Sequence, residues 1–316
     1  MRWLLALALP LVLLPFPAHA QAASPGHEAT VLLFHPLDQV DPFGVPFEGG
    51  DPFAARYASV AAQTGQFDYP VFVADGTRPI QALPDPSRPF QGTLDAYEAA
   101  VSARQQGSSP IVLTLEAHRA GGQAALTVSV RPMAPIQESQ GQTLRLRVAL
   151  AEDPVHYQPP APVSNGVVDH RFTVRAYRDL GPIPLGAASN FTASLPLDAS
   201  WQVDHLLAAA WVQADGTPGR FAPTEALQAT HAALDGQPVR QTAKGVLVEV
   251  YSATWCTPCL YGDLAVEQVA IRHAGAQELA KPAARYLEAA PHPVLAAFAA
   301  VLAAAAVALL PRGGRP

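Results

Sequence analysis

The sequence predicts an α/β unit combined with an all-β one, the first split around the second, and a C-terminal transmembrane helix. Short runs that are apolar throughout, at 30–34, 70–74 and 246–251, read as strands buried on both faces and lie beside helical patterns. Between them, from 109 to 213, hydrophobicity alternates with period two, the signature of an antiparallel β-sandwich. Near the C-terminus, 294–310 carries no polar or charged side chain.

The N-terminus has Arg2, an apolar stretch over 3–17 and then Ala18-His19-Ala20. This small-x-small pattern reads as a secretory signal peptide over 1–20, and Pro10, Pro15 and Pro17 argue against a retained membrane helix. About 270 residues remain between the two apolar ends, enough for two modest domains.

The first part of the α/β unit covers 28–107. Strand 30–34 leads to a loop with three Pro-Phe pairs, then a helix over 52–64 with Asp51 as N-cap and Pro52 at its first position. Strand 70–74 ends at the turn Asp75-Gly76, and a short strand at 79–83 closes a hairpin. A helix over 93–106 buries Leu94, Tyr97, Ala100 and Val101 on one face.

The sandwich, 109–213, has strands at 111–116, 125–130, 144–148, 172–177, 190–197 and 205–212. No catalytic constellation stands out in it. Residues 214–244 are rich in Ala, Gly, Gln, Pro and Thr and read as a linker with one short helix near 223–233. The second α/β part, 245–290, consists of strand 246–251 and a helix from Cys256 or Pro258 to Arg272.

The final segment, 293–311, is bracketed by Pro293 and Pro311. At about 1.5 Å per residue its apolar stretch reaches about 25 Å, short but workable for a bilayer. Arg312 and Arg315 favour a cytoplasmic C-terminus; a buried core helix is the alternative reading. The net charge of -6, with 15% charged residues and no basic run, argues against nucleic acid as a partner.

Cys256 and Cys259 are the only cysteines, and they stand in Trp255-Cys256-Thr257-Pro258-Cys259. A lone pair at this spacing points to redox chemistry rather than a disulfide framework. Zinc would need two more ligands, and c-type haem a histidine directly after the second cysteine. A static bridge remains the alternative. Two intervening residues let the first thiol lie at a helix N-terminus, where the dipole and free N–H groups favour its thiolate, and put the second one turn in.

An apolar strand, a loop, Trp-Cys-x-x-Cys and a helix resemble the active site of the thioredoxin superfamily. Too little chain follows Cys259 to complete that fold, so the resemblance implies a circularly permuted thioredoxin-like fold with an inserted antiparallel β-sandwich. Strand 246–251 would then lie between 30–34 and 70–74 as a parallel neighbour of both. The same resemblance implies a cis-proline beside the disulfide, which falls on Pro70, with an ordinary trans proline at a strand start as the alternative, and a buried acid relaying protons to the resolving thiol, which falls on Glu249. Glu249 as a solvent-facing strand residue is the alternative. A closer likeness is to a secreted bacterial family that joins a thioredoxin-like domain to a β-sandwich. It rests on Val248-Glu249-Val250-Tyr251, Phe34-His35, Asp51-Pro52-Phe53, Val73-Ala74-Asp75-Gly76 and Asp169-His170-Arg171.

The function expected is that of an extracytoplasmic, membrane-anchored thiol-disulfide oxidoreductase. Cys256 is the nucleophile and Cys259 the resolving thiol, with Trp255 and Pro258 flanking them and Pro70 and Glu249 in support. The alternative is a non-catalytic envelope binding protein with a structural disulfide. No organic cofactor or metal is expected. Expected partners are protein thiols or disulfides of the cell envelope, and the membrane through the C-terminal helix. The expected location is the bacterial inner membrane, with the main domains facing the periplasm.

Overall fold

The computed structural model describes residues 28–34 and 70–273, apart from 82, 138, 157–168 and 254–255. Among these residues are fourteen strands and two α-helices. The chain runs β1 (Ala29–Phe34), β2 (Val71–Ala74), β3 (Thr77–Gln81) and α1 (Pro89–Gln105). It continues through β4 (Ile111–Ala120), β5 (Gln123–Pro132), β6 (Gln142–Glu152), β7 (Val155–His156), β8 (Asp169–His170), β9 (Thr173–Pro182) and β10 (Ser189–Pro196). Last come β11 (Leu206–Gly216), β12 (Ala226–Ala233), β13 (Val239–Gln241), β14 (Val246–Tyr251) and α2 (Cys259–His273).

One eight-stranded sheet, ordered β12-β11-β6-β9-β1-β14-β2-β3, dominates the molecule. A four-stranded sheet, β10-β5-β4-β13, packs on part of it, and β7 pairs with β8 alone. β14 runs parallel to β1 from Ala29 opposite Val246 to Phe34 opposite Tyr251, and antiparallel to β2.

The pleat sorts the side chains into three cores. Val31 and Leu33 of β1, Phe72 of β2 and Val246, Val248 and Val250 of β14 face α1 and α2. The alternate residues, among them Leu32, Phe34, Val73, Leu247 and Tyr251, meet Ala149, Ala209, Trp211 and Ala229 from β6, β11 and β12. The large sheet thus folds over on itself, and Thr30 Oγ1 meets His231 Nδ1 of β12 at 3.1 Å across that fold. The third core lies between the four-stranded sheet and the outer faces of β6 and β11. Burial on both faces is the physical reason why β1, β2 and β14 are apolar throughout.

These observations correct the expected fold class. A circularly permuted thioredoxin-like α/β fold would give β1, β14, β2 and β3 a sheet of their own, with helices on its faces. Instead the backbone of Leu33 accepts no such isolation: its N–H bonds to the Phe172 carbonyl at 2.8 Å, and β9 pairs with β1, joining these strands to the sandwich in one sheet. The described helices cover one face only, and strands cover the other. β2 is antiparallel to β14, so 246–251 does not have two parallel neighbours. The molecule is predominantly β.

The expected linker is also corrected. Its second half forms β12, which is buried almost throughout although its Ala-Leu-Gln composition favours a helix. Gln228 decides the outcome: its side-chain amide donates to the carbonyls of Ile111 and Ala243, both at 2.9 Å, and its carbonyl accepts from Gly245 N at 2.6 Å. These bonds hold β12 between β4 and the entry to β14. Tertiary contacts override propensity here.

The expected C-terminal transmembrane helix is not part of the described fold. Among the described residues no helix is long and apolar enough to cross a membrane, and 293–311 lies outside them. The signal segment 1–20 and the helix expected at 52–64 lie outside them as well.

Candidate functional site

β14 delivers the chain, buried on both faces, to a tight turn in which the cysteines sit. Ser252 N donates to the Phe34 carbonyl at 3.2 Å, so the sheet continues to the edge of the turn. Cys256 N then donates to Ala253 O at 3.2 Å, and Cys259 N to Cys256 O at 3.1 Å. Two further three-residue bonds, from Leu260 N to Thr257 O and from Tyr261 N to Pro258 O, wind the chain into α2.

The helix therefore begins at Cys259 rather than at Cys256 or Pro258. Cys256 precedes the first helical residue by three, and its carbonyl accepts from Cys259 N. The two cysteines form a disulfide with a Cα–Cα distance of 5.3 Å and pack with Ala253 in a small cluster of their own. The pair is asymmetric: Cys256 retains 7% exposure and Cys259 none. Thr257 is exposed and Pro258 half-buried, while Trp255 lies outside the described residues.

Pro70 is buried at the start of β2 and reaches α2. A Cβ added at Gly262 would lie 2.7 Å from Pro70 Cγ and 3.4 Å from the Tyr97 hydroxyl oxygen. Gly262 is three residues beyond Cys259, on the same side of the helix. Pro70 thus packs one turn below the buried sulfur. The expected cis bond runs from residue 69 and falls outside the described residues; the cis bond among those described is Asp153-Pro154.

Tyr97 of α1 completes this contact. Its ring stacks on Phe72 with centroids 3.9 Å apart, and its hydroxyl is buried without a hydrogen-bond partner among the described residues. Burial, and then the neighbouring carboxylate of Asp263, push the phenol's pKa well above its ordinary range. Tyr97 remains a neutral donor at any physiological pH.

Glu249 is fully buried. It alternates onto the face shared by Leu247 and Tyr251, opposite the face that packs on α1 and α2, and accepts a hydrogen bond from Tyr251 Oη at 3.4 Å. The strand's pleat directs it away from the helix that carries Cys259.

α2 is held along its length. Arg171, in the turn between β8 and β9, pairs with Asp153 and reaches Glu267 of α2 at 3.2 Å. Arg272 pairs with Glu98 of α1, and His273 Nδ1 lies 3.0 Å from Gln105 Oε1. Beside α2 a cleft opens between Leu33, Asp169 and His170 on one wall and Asp263, Leu264 and Glu267 on the other. Burial lowers the His170 pKa to about 4, so its imidazole is neutral at pH 7.

Sequence reasoning placed Tyr97 on a buried helix face and gave Gly262, Arg171 and Asp263 no role. Their contacts come from elements far apart in the chain, and no local pattern signals them. Among the described residues no group of three or more His, Cys, Asp or Glu side chains is arranged to hold a metal ion.

No family model and no curated protein matches the chain. Among solved structures, HBP35 of Porphyromonas gingivalis aligns at 15% identity over 45% of this chain and 46% of its own, with a TM-score of 0.35. A DUF3823 family protein from Bacteroides ovatus aligns at 13% identity over 43% of this chain and 57% of its own, with a TM-score of 0.24. The sporulation control protein Spo0M of Bacillus subtilis aligns at 18% identity over 40% of this chain and 49% of its own, at 0.23. The chain spans less than two thirds of the length of each. At such values the likeness assigns neither a family nor an activity.

Proposed function

We propose that the protein is a thiol-disulfide oxidoreductase of the bacterial cell envelope, acting on thiols or disulfides of other proteins. One observation carries this reading. The only two cysteines form a bridge at the start of α2, with Cys256 keeping 7% exposure and Cys259 none. That asymmetry suits a division of labour between attack and resolution. A bridged pair also suits an oxidising compartment.

In the reaction, the thiolate of reduced Cys256 attacks a sulfur of a partner disulfide, and the partner's other sulfur leaves as a thiolate that takes up a proton. Cys259, having released its proton, then attacks Cys256 Sγ in the mixed disulfide. The Cys256–Cys259 bond forms, and the partner leaves as a dithiol that has gained two electrons and two protons. The dipole of α2, whose N-terminus follows Cys256 in the chain, favours the Cys256 thiolate.

The competing reading, a non-catalytic envelope binding protein with a structural disulfide, draws support from the small exposure of Cys256. Two measurements separate them. A Cys259→Ser variant should accumulate mixed disulfides with a disulfide-bearing peptide, and the wild-type potential should lie above about -300 mV. A more negative potential together with no trapped adduct assigns the bridge to structure.

A further inference from the structure

The hydroxyl of Tyr97 is an anomaly in the oxidised protein. The side chain is fully buried, its ring is already accommodated by stacking on Phe72, and its O–H meets no acceptor among the described residues. A buried donor left without an acceptor is destabilising, so phenylalanine would serve the packing better. Buried polar groups of this kind ask for a state in which they are satisfied.

The position of the hydroxyl indicates that state. It lies against Gly262, where even a Cβ would come within 3.4 Å of it. Residues three apart share one face of a helix, with Cβ atoms about 5–6 Å apart, so the next side chain on that face toward the N-terminus is Cys259. Gly262 carries no side chain to screen one from the other. In the disulfide, the Cys259 sulfur is bonded to Cys256 and is a weak acceptor. When the bond opens by uptake of two electrons and two protons from a partner dithiol, that sulfur passes through a thiolate, a strong acceptor in a buried site.

We propose that Tyr97 is a positioning residue for the cysteine pair, its hydroxyl donating a hydrogen bond to the Cys259 sulfur, directly or through one water, only when the disulfide is open. The bond stabilises the dithiol and not the disulfide. Tyr97 therefore makes the couple more oxidising, and it does so without giving up its proton. This rests on the cysteines being redox-active, as proposed above.

Tyr97→Phe keeps the ring and its stack on Phe72. Equilibrating the full chain with glutathione buffers and counting free thiols should show the equilibrium of the variant shifted about tenfold toward the disulfide, a potential about 30 mV more negative. Denaturation should show the reduced form weakened and the oxidised form unchanged or strengthened. An unshifted potential, or an equal change of stability in both redox states, reduces Tyr97 to packing. So does a shift that vanishes in an Asp263→Asn background, because Asp263 would then be the acceptor. If Cys259→Ser traps no partner while the potential of the Tyr97→Phe chain still shifts, the catalytic reading falls and the linkage stands. If it traps partners and the potential does not shift, the linkage falls alone.

Discussion

Pro70 and Gly262 are in direct contact where β2 meets the helix that carries Cys259, with no room for a methyl group between them: a Cβ at 262 would lie 2.7 Å from Pro70 Cγ. The glycine is required by this approach and not by backbone conformation. It lets the start of α2 settle onto the sheet.

Gly262→Ala sets two effects against each other. Helix propensity favours alanine by about 1 kcal/mol. Overpacking costs about 1–3 kcal/mol, and a proline ring has no rotamer by which to retreat. A net loss of up to about 2 kcal/mol is expected in urea unfolding of the oxidised protein. A gain of stability would show that the contact yields.

The turn Asp75-Gly76 is clamped by an ion pair in the interior. Lys244 Nζ lies 2.9 Å from Asp75 Oδ2, and the carboxylate also accepts from Leu247 N at 2.8 Å. Gly76 is just as confined, since a Cβ there would lie 1.8 Å from the Thr224 carbonyl oxygen. Lys244→Met leaves a buried carboxylate without its partner and should cost about 3–5 kcal/mol. Adding Asp75→Asn should restore part of that loss, a coupling that a double-mutant cycle reads directly.

His170 supplies a pH dependence with a definite sign. Its folded pKa of about 4 lies below the ordinary value of 6.5, because burial disfavours the imidazolium. Above pH 6.5 both states are neutral and the contribution is complete. As pH falls from 6.5 to 4 the unfolded chain takes up a proton that the folded one refuses, and about 3 kcal/mol of stability is lost. His170→Asn should flatten that limb of the stability curve. A limb of unchanged slope in the variant would assign the loss to other groups.

Arg171 ties the sandwich to the cysteine helix through Asp153 and Glu267. Arg171→Met should destabilise the protein by about 3 kcal/mol and speed hydrogen exchange along α2. Arg171→Lys should recover little, because an ammonium does not reproduce the two-pronged contact with Asp153. Full recovery by lysine would show that charge alone matters at this position.

The strands that flank the cysteine motif are legible in the sequence because β1, β2 and β14 are buried on both faces and carry no polar alternation. Their directions are not legible: the hairpin of β2 and β3 makes β2 antiparallel to β14, and hydrophobicity carries no sign of direction. Nor is the merger of the two halves into one sheet. It depends on Leu33 meeting Thr173 after Phe172 turns the chain at a φ of 54°, a left-handed conformation uncommon for such a side chain. β12 escapes because its alanines suit a helix and its strand state is imposed by Gln228. At the site, the cysteine spacing is a local signal. Gly262, Tyr97 and Arg171 matter only through elements that the topology brings together.

The order of strands in the large sheet differs from their order in the chain, and this sets a sequence of events. Of the described strands β14 is the last to be synthesised, yet it lies between two of the first three. Until it arrives, β1 and β2 each present an unpaired edge, and apolar strands with open edges invite association with other chains. A chain interrupted before β14 therefore loses more than its cysteines: it keeps a slot that another molecule's strand can enter.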